Sequence, residues 1–201
     1  MKQLLVRLCS LAMVFGCGSM LAGVVISVEP PYQAVPNGSA VFVSLQISGL
    51  GAFTAPSLGA FDLDLRFDPS LLAFDGFVFG DPVLGDQLDL SGFGSLTDTG
   101  GTPGSGDVNI YEVSLDSVTD LDDLQEPTFT LGVFEFQSLH LGVSALFIDI
   151  NALGDASGVS LLPVTDPDRG GVISITPEPG SITLVAATLI ALALGGRRCC
   201  R

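Results

Sequence analysis

Five acidic side chains crowd one stretch of the chain: Asp116, Asp120, Asp122, Asp123 and Glu126. A second oxygen-rich group follows at Asp149, Asn151 and Asp155. Such groups are the ligands of hard cations, and calcium takes about six to eight oxygens from side chains, carbonyls and water. Asp116, Asp120, Asp122 and Asp123 are therefore candidate calcium ligands. Binding there would relieve carboxylate repulsion and order the loop. Neither group has the spacing of the standard helical calcium loop. The competing reading is a solvated acidic surface.

Little else in the chain can do chemistry. His140, the single histidine, sits in Ser138-Leu139-His140-Leu141-Gly142 and reads as an exposed turn residue. One histidine supports neither a histidine-rich metal site nor a histidine-based triad. Carboxylates are plentiful, but glycoside hydrolysis needs two at a set separation across a cleft, one of them with a raised pKa. Abundance does not supply that geometry. The expectation is a protein that is not an enzyme, with no catalytic residue to name. Sugar platforms use flat aromatic faces with a polar handle. Tryptophan is absent, and only Tyr32 and Tyr111 carry such a handle. Phe53, Phe79 and Phe93 read as core or loop hydrophobes. Binding to crystalline cellulose is disfavoured.

Between residues 23 and 176 the chain holds 21 acidic side chains against two basic ones, Arg66 and Arg169, a formal charge of −19. A nucleic-acid backbone would repel that surface, which excludes such a partner. Like charge of this size keeps a domain soluble at some cost in compaction, and it collects divalent cations.

The elements that must position these groups read as strands. Residues 60–67 alternate Phe61, Leu63, Leu65 and Phe67 with Asp62, Asp64 and Arg66. Period two puts the first set on one face and the charges on the other. Asp68-Pro69-Ser70 then makes a turn. Residues 71–79 form the next strand, broken at Gly76. Further strands are expected at 24–28, 40–47, 108–115, 129–137, 143–150 and 172–175. In 129–137, Leu131, Val133 and Glu135 should share one face, and Thr130, Gly132, Phe134 and Phe136 the other. Residues 81–106 are weakly patterned and predict short strands near 87–90, then a mobile loop. Residues 116–127 predict an acidic loop. No amphipathic helix is expected between 24 and 176. Seven to nine short strands separated by Gly, Pro and Asp turns point to an all-β sandwich.

Both ends carry addressing patterns. Lys2 and Arg7 precede an apolar, small-residue stretch over 8–21 that ends at Ala22-Gly23. This is the pattern of a secretory signal peptide, with cleavage after Ala22. Val14-Phe15-Gly16-Cys17 offers a lipobox as a second reading, with a lipid on Cys17. An uncleaved anchor is a third, on a run that is short for a span and interrupted by Gly16, Gly18 and Ser19. At the other end, Pro177-Glu178-Pro179 leads into an apolar run over 182–196, then Arg197, Arg198, Cys199, Cys200 and Arg201. As a helix the run covers ~22 Å, against a hydrocarbon core of ~30 Å, a gap that snorkelling arginines narrow. The expectation is a short transmembrane helix stopped by Arg197, Arg198 and Arg201 on the cytoplasmic side. All four cysteines, Cys9, Cys17, Cys199 and Cys200, lie in these end segments. The domain between them can be neither a disulfide scaffold nor a thiol enzyme.

Two resemblances follow from these residues. The order Pro177-Glu178-Pro179, apolar run, Arg197-Arg198 resembles the PEP-CTERM sorting signal of Gram-negative envelope and exopolysaccharide-producing bacteria. It implies recognition by an exosortase, a membrane cysteine protease-transpeptidase, with processing near Pro177-Glu178-Pro179. The run from Leu58 through Asp68-Pro69-Ser70 to Phe74 resembles the cohesin-like β-sandwich, within the group that also holds cellulose-binding modules. Cohesins carry this kind of glycine-led strand, Asp-Pro-Ser turn and next strand entering on Leu.

Together they imply three segments: a signal peptide over 1–22, a cohesin-like jelly-roll sandwich over 23–176, and a sorting signal over 177–201 with its transmembrane segment at 182–196. The implied partners are the Sec machinery and signal peptidase, an exosortase, the bacterial membrane, and an extracellular polysaccharide or a protein ligand. The implied location is beyond the inner membrane, with a membrane-anchored stage during sorting and then the cell surface or extracellular matrix. The expected function is a surface or matrix protein presenting a β-sandwich for contacts. The alternative is a carbohydrate-binding module, calcium-assisted.

Overall fold

The computed structural model describes residues 23–163 and 170–178. Ten strands run through them: β1 (Val25–Glu29), β2 (Tyr32–Pro36), β3 (Ala40–Ser48), β4 (Leu58–Arg66), β5 (Leu72–Phe79), β6 (Ser95–Thr102), β7 (Asp107–Ser114), β8 (Thr128–Ser138), β9 (Gly142–Asp155) and β10 (Gly171–Thr176). One sheet has the order β1-β3-β8-β5 and the other β2-β10-β9-β4-β7-β6. Only β2 and β10 pair in parallel.

The core lies between the sheets and follows from alternation. On β4, Phe61, Leu63 and Leu65 are buried, and Asp62, Asp64 and Arg66 point away. Val41, Val43, Leu45 and Ile47 of β3 face them, with Ile173 and Ile175 of β10 closing one side. Phe134 and Phe136 stack, and the Phe74 ring meets each of them edge-on.

On β8 the expected faces do not hold. Phe129 and Leu131 are buried, and then Phe134 and Phe136. Leu45 pairs with Gly132 and Gln46 with Thr130, so Leu131 is an extra residue on β8. That bulge shifts the alternation by one and brings both halves of the strand onto the core. A second irregularity, between Phe74 and Gly76, does the same for β5.

Four further stretches differ from expectation. Residues 95–102, expected as a mobile loop, form β6, an exposed edge strand held by its backbone pairing to β7. Residues 32–36 form β2, and 87–90 is a turn rather than a strand. Inside the expected acidic loop stands a helix, α1 (Val118–Leu124). Its N-cap is Ser117, whose Oγ accepts from the Asp120 N–H at 3.1 Å and donates to Asp120 Oδ2 at 2.7 Å. Ser117 thus satisfies one free N–H of the first turn, as an N-cap does, and the Asp120 carboxylate holds its hydroxyl in place.

The expected flanking transmembrane helix is corrected. No helix among the described residues is long and apolar enough to cross a membrane. Their one α-helix, α1, has seven residues, three of them aspartates; at 1.5 Å per residue it spans roughly a third of a hydrocarbon core. The run at 182–196 lies outside the described residues, as do the signal peptide at 1–22, Pro179, Arg197, Arg198 and Arg201. Among the described residues the fold is an all-β sandwich with no such helix. The expected membrane-anchored stage, and the location built on it, lose their structural support with it.

α1 is fastened to the sandwich by the buried Gln125 just past its end. Gln125 Oε1 accepts from the Leu58 N–H at 2.6 Å, and Nε2 donates to the carbonyls of Leu58 at 3.0 Å and Gln87 at 2.9 Å. The side chain extends the ladder at the start of β4. Asp81 plays a similar part after β5, accepting from the N–H groups of Val83, Leu84 and Thr130 at 2.8, 2.9 and 2.8 Å. Partial burial opposes its charged form, but the backbone bonds from Leu84, Thr130 and Val83 outweigh that and hold its carboxyl below the ordinary value.

Gln125→Leu strands the N–H and C=O of Leu58 in a buried site. It should cost about 2–3 kcal/mol, read as a lower urea midpoint at unchanged m-value. A lowered folded pKa stabilises above the unfolded value and is lost as pH falls through the folded one. Wild-type protein should therefore lose stability below about pH 4, and Asp81→Asn should lose less over that range, measured as urea midpoints at pH 7 and pH 3.

Candidate functional site

The two outer faces of the sandwich differ. On the four-stranded sheet the large exposed apolar side chains are Phe42 and Val78. On the six-stranded sheet they are Tyr32, Leu96, Tyr111, Val113, Val143 and Phe147. Alternation explains most of these directions: Phe42, Tyr111, Val113, Val143 and Phe147 share parity with polar residues of their strands, and the irregularity in β5 turns Val78 outward.

Register brings them around a polar centre on β4. Asp62 lies opposite Tyr111, which lies opposite Asp98; Asp64 lies opposite Asn109 on one side and Asp149 on the other. Asn109 Nδ2 donates to Asp62 Oδ1 and Asp64 Oδ1, each at 2.7 Å. Asn151 Nδ2 reaches Asp62 Oδ1 at 3.1 Å. Arg66 pairs with Asp149, both partly exposed. The two amides hold neighbouring carboxylates in place by charge-assisted bonds. Phe147 stands beside Arg66, and Val113 lies between Ala60 and Leu96. The surface is acidic and pre-shaped, with apolar side chains at its edges.

At one end of this face, where α1 meets the sheet, is a cleft of about 440 Å³ lined by Ala60, Val113, Asp116, Leu121 and Gly154. The cleft needs a close approach of backbones: a Cβ on Gly59 would lie 2.6 Å from the Asp155 carbonyl oxygen. Such a face can dock a surface carrying hydrogen-bond donors or positive charge beside apolar side chains.

The acidic groups singled out by spacing are not brought together. Asp116 Oδ2 accepts from the N–H groups of Leu90 and Ser91 at 2.6 and 3.2 Å. Asp120 accepts from the Ser117 hydroxyl at the start of α1, Asp122 accepts from Ser57 Oγ at 2.6 Å, and Asp123 is exposed. Asp149 pairs with Arg66, Asn151 with Asp62, and Asp155 Oδ1 closes its own turn onto Ser157 and Val159. Among the described residues, no group of three or more acidic, histidine or cysteine side chains stands ready to hold a metal ion. His140 is exposed in the β8–β9 turn. Phe53 and Phe93 are exposed in loops, and Phe79 packs on Phe61 and Phe77.

Sequence reasoning placed Asp62, Asp64 and Arg66 on an outer face. It passed over Asn109, Val113, Leu96 and Phe147. For β7 the signal was present: Asn109, Tyr111 and Val113 alternate with Val108, Ile110 and Glu112. For Leu96 on β6 and Phe147 on β9, the signal exists only in the register.

No protein-family model matches the chain, and no curated protein matches it. Solved structures match its fold. A chain of the type I cohesin–dockerin complex Coh-OlpA–Doc918 from Clostridium thermocellum is 9% identical, over 77% of this chain and 99% of that one, with a TM-score of 0.59. A type II cohesin domain from the cellulosome of Acetivibrio cellulolyticus is 16% identical, over 75% and 95%, at a TM-score of 0.59. The seventh ScaB type I cohesin of Pseudobacteroides cellulosolvens is 12% identical, over 78% and 94%, at 0.55. At these identities the likeness is one of fold: the chain is a cohesin-like β-sandwich.

Asn109→Ala leaves the Asp62 and Asp64 carboxylates without their shared donor. It should cost about 1 kcal/mol, and the loss should shrink in 1 M salt as their repulsion is screened, both read from urea midpoints.

Proposed function

We propose that the domain, bounded at residues 23 and 176, is a non-enzymatic protein-interaction module that docks its partner on the outer face of the six-stranded sheet. The observation that carries this is the contrast between the faces: six large apolar side chains exposed around a bonded acidic network on one, two on the other. Interfaces draw on exposed aromatic and aliphatic anchors with a polar complement. The fold likeness supports the same reading, since structures it matches are described as cohesin–dockerin complexes. Here Tyr111, Val113, Leu96 and Phe147 would supply anchors. Asp62, Asp64, Asp98 and Asp149 would select a partner rich in lysine, arginine or hydroxyl donors. A polysaccharide ligand gains less from this face, which lacks tryptophan and carries four carboxylates.

The Pro177-Glu178-Pro179 motif belongs to the same reading as the exosortase processing site. What supports it is position: Pro177 and Glu178 are exposed and leave the sandwich directly after Thr176, the end of β10. Intact mass and C-terminal sequencing of the protein from its native host test it. A terminus near Pro177 is expected, and a chain ending at Arg201 refutes it.

Docking is tested by placing a photo-crosslinker at position 147, 111 or 42 in the native host. Protein adducts should form from 147 and 111 and not from 42. Phe147→Glu and Asp62→Lys should each weaken binding of the captured partner at least tenfold, while Phe42→Glu leaves it unchanged. Adducts from 42 alone would move the site to the other sheet.

A further inference from the structure

Glu112 is the one acidic side chain among the described residues with no exposure, at 0%. It continues the inward series Val108, Ile110, Glu112 on β7, where an apolar residue would fit the pattern. Phe61 of β4 lies opposite it on one side and Thr97 of β6 on the other. Its Oε1 accepts from Ser95 Oγ at 2.5 Å, and its Oε2 has no donor among the described residues. Ser95 is the first residue of β6, the edge strand that backbone pairing to β7 holds in place. The side-chain bond therefore crosses the β6–β7 joint at the end where β6 begins. The loop over residues 81–94 leads into Ser95, and Ser114 Oγ at the end of β7 ties that loop down by donating to the Leu88 carbonyl at 2.6 Å. The charged groups facing Glu112 come from this loop: Asp86 and Asp89, both acidic. Arg66, the one lysine or arginine among the described residues, is taken up by Asp149.

A buried carboxylate with a single hydroxyl donor is poorly solvated, and ionising it in place is costly. As a neutral acid, Glu112 keeps the Ser95 bond and leaves no charge in the core. We propose that Glu112 and Ser95 form a proton-held latch, which keeps the start of β6 closed on β7 and lets it open when Glu112 loses its proton. Ionised Glu112 must reach water. The way out lies past Ser95 and the loop over residues 81–94, since β4 and the buried Phe61 close the other side. Burial above all, opposed by the Ser95 bond and reinforced by Asp86 and Asp89, pushes the Glu112 carboxyl up to about 8. A carboxyl raised on folding contributes stability that is fully present below its unfolded value, and that contribution is lost as pH rises through the folded one. The window therefore runs upward from the ordinary 4.5 to about 8. Leu96, next to Ser95, stands on the docking face, so the latch sets whether one margin of that face is formed. This consequence rests on the proposed docking role; the latch itself does not.

The test is urea unfolding of the full-length protein from pH 5.5 to pH 9.5, with amide hydrogen exchange at pH 6.5 and pH 9. In wild type the unfolding constant should rise by up to about tenfold per pH unit as far as pH 8 and level off above it, the mark of one proton bound only in the folded state. Glu112→Gln keeps the shape and the Ser95 acceptor, and should remove that slope. Ser95→Ala deletes the bond that favours the charged form, so the levelling should move to higher pH; this variant decides the matter if Glu112→Gln does not fold. Asp98→Asn, exposed on β6, should behave as wild type. Between the two exchange conditions, after correction for intrinsic rates, amides 96–99 of β6 should lose about tenfold more protection than those of β4. A flat wild-type profile, an equal slope in Glu112→Gln, or an unmoved levelling in Ser95→Ala overturns the latch. Equal loss of protection in β6 and β4 overturns it too, leaving a buried acid that loosens the whole domain. None of these readouts involves a partner, so failure here leaves the docking reading standing.

Discussion

β4 is hydrogen-bonded along both edges, to β7 and to β9, so its side chains can leave only above or below the sheet. The alternation of Phe61, Leu63 and Leu65 with Asp62, Asp64 and Arg66 therefore does two things at once. It fills the centre of the core and plants a charged row in the middle of the opposite face. Removing the inner set from water holds the strand in register, since a slip by one residue would bury three charges and expose three large apolar groups. The binding face is thus fixed in place by the same free energy that folds the domain. Gln125 anchors the start of the strand with bonds a backbone would otherwise make.

An acidic domain has to spend its carboxylates without a matching supply of cations. Much of the answer lies in the loops. Asp68, Asp81, Asp86, Asp89, Asp116 and Asp155 each accept from backbone N–H groups that no strand satisfies. Such bonds give each turn a defined shape, so carboxylate oxygens replace missing ladder bonds; at Asp68, Asp81 and Asp155 they also hold the carboxyl below its ordinary value. Within the cluster over residues 116–126, Asp116 serves a loop, Asp120 the Ser117 hydroxyl and Asp122 the Ser57 hydroxyl, so these three point to different partners. Glu112 is the exception, because its surroundings supply one donor to two oxygens.

The core strands were legible because they alternate and because Asp-Pro-Ser and Pro-Asn-Gly mark their ends. What was illegible has identifiable causes. β8 could not be phased, since a bulge at Leu131 depends on how β3 pairs with it and leaves no mark in β8 itself. β6 has no apolar series, lying at an edge with little to bury; backbone pairing to β7 alone makes it a strand. α1 is too short for helical periodicity to show, although Ser117 is an N-cap residue type at its start. The docking face was half legible: its charged row could be read from β4, but its apolar margin comes from β6, β7 and β9, which only register places side by side.

By itself the sequence determined the acidity of the surface, the absence of cysteine between the two end segments and the all-β sandwich, though not the flanking helix expected beside it. These follow from composition and from a two-residue period, which are local properties of a chain. The tertiary structure decided which carboxylates meet and which stand apart. It turned Asp116 onto the N–H groups of Leu90 and Ser91 and Asp122 onto Ser57, although the two stand six residues apart in sequence. It joined Glu112 to Ser95 across 17 positions. Closeness in space between strands is set by pairing and by the packing of two sheets, and neither is written in the spacing of residues along one strand.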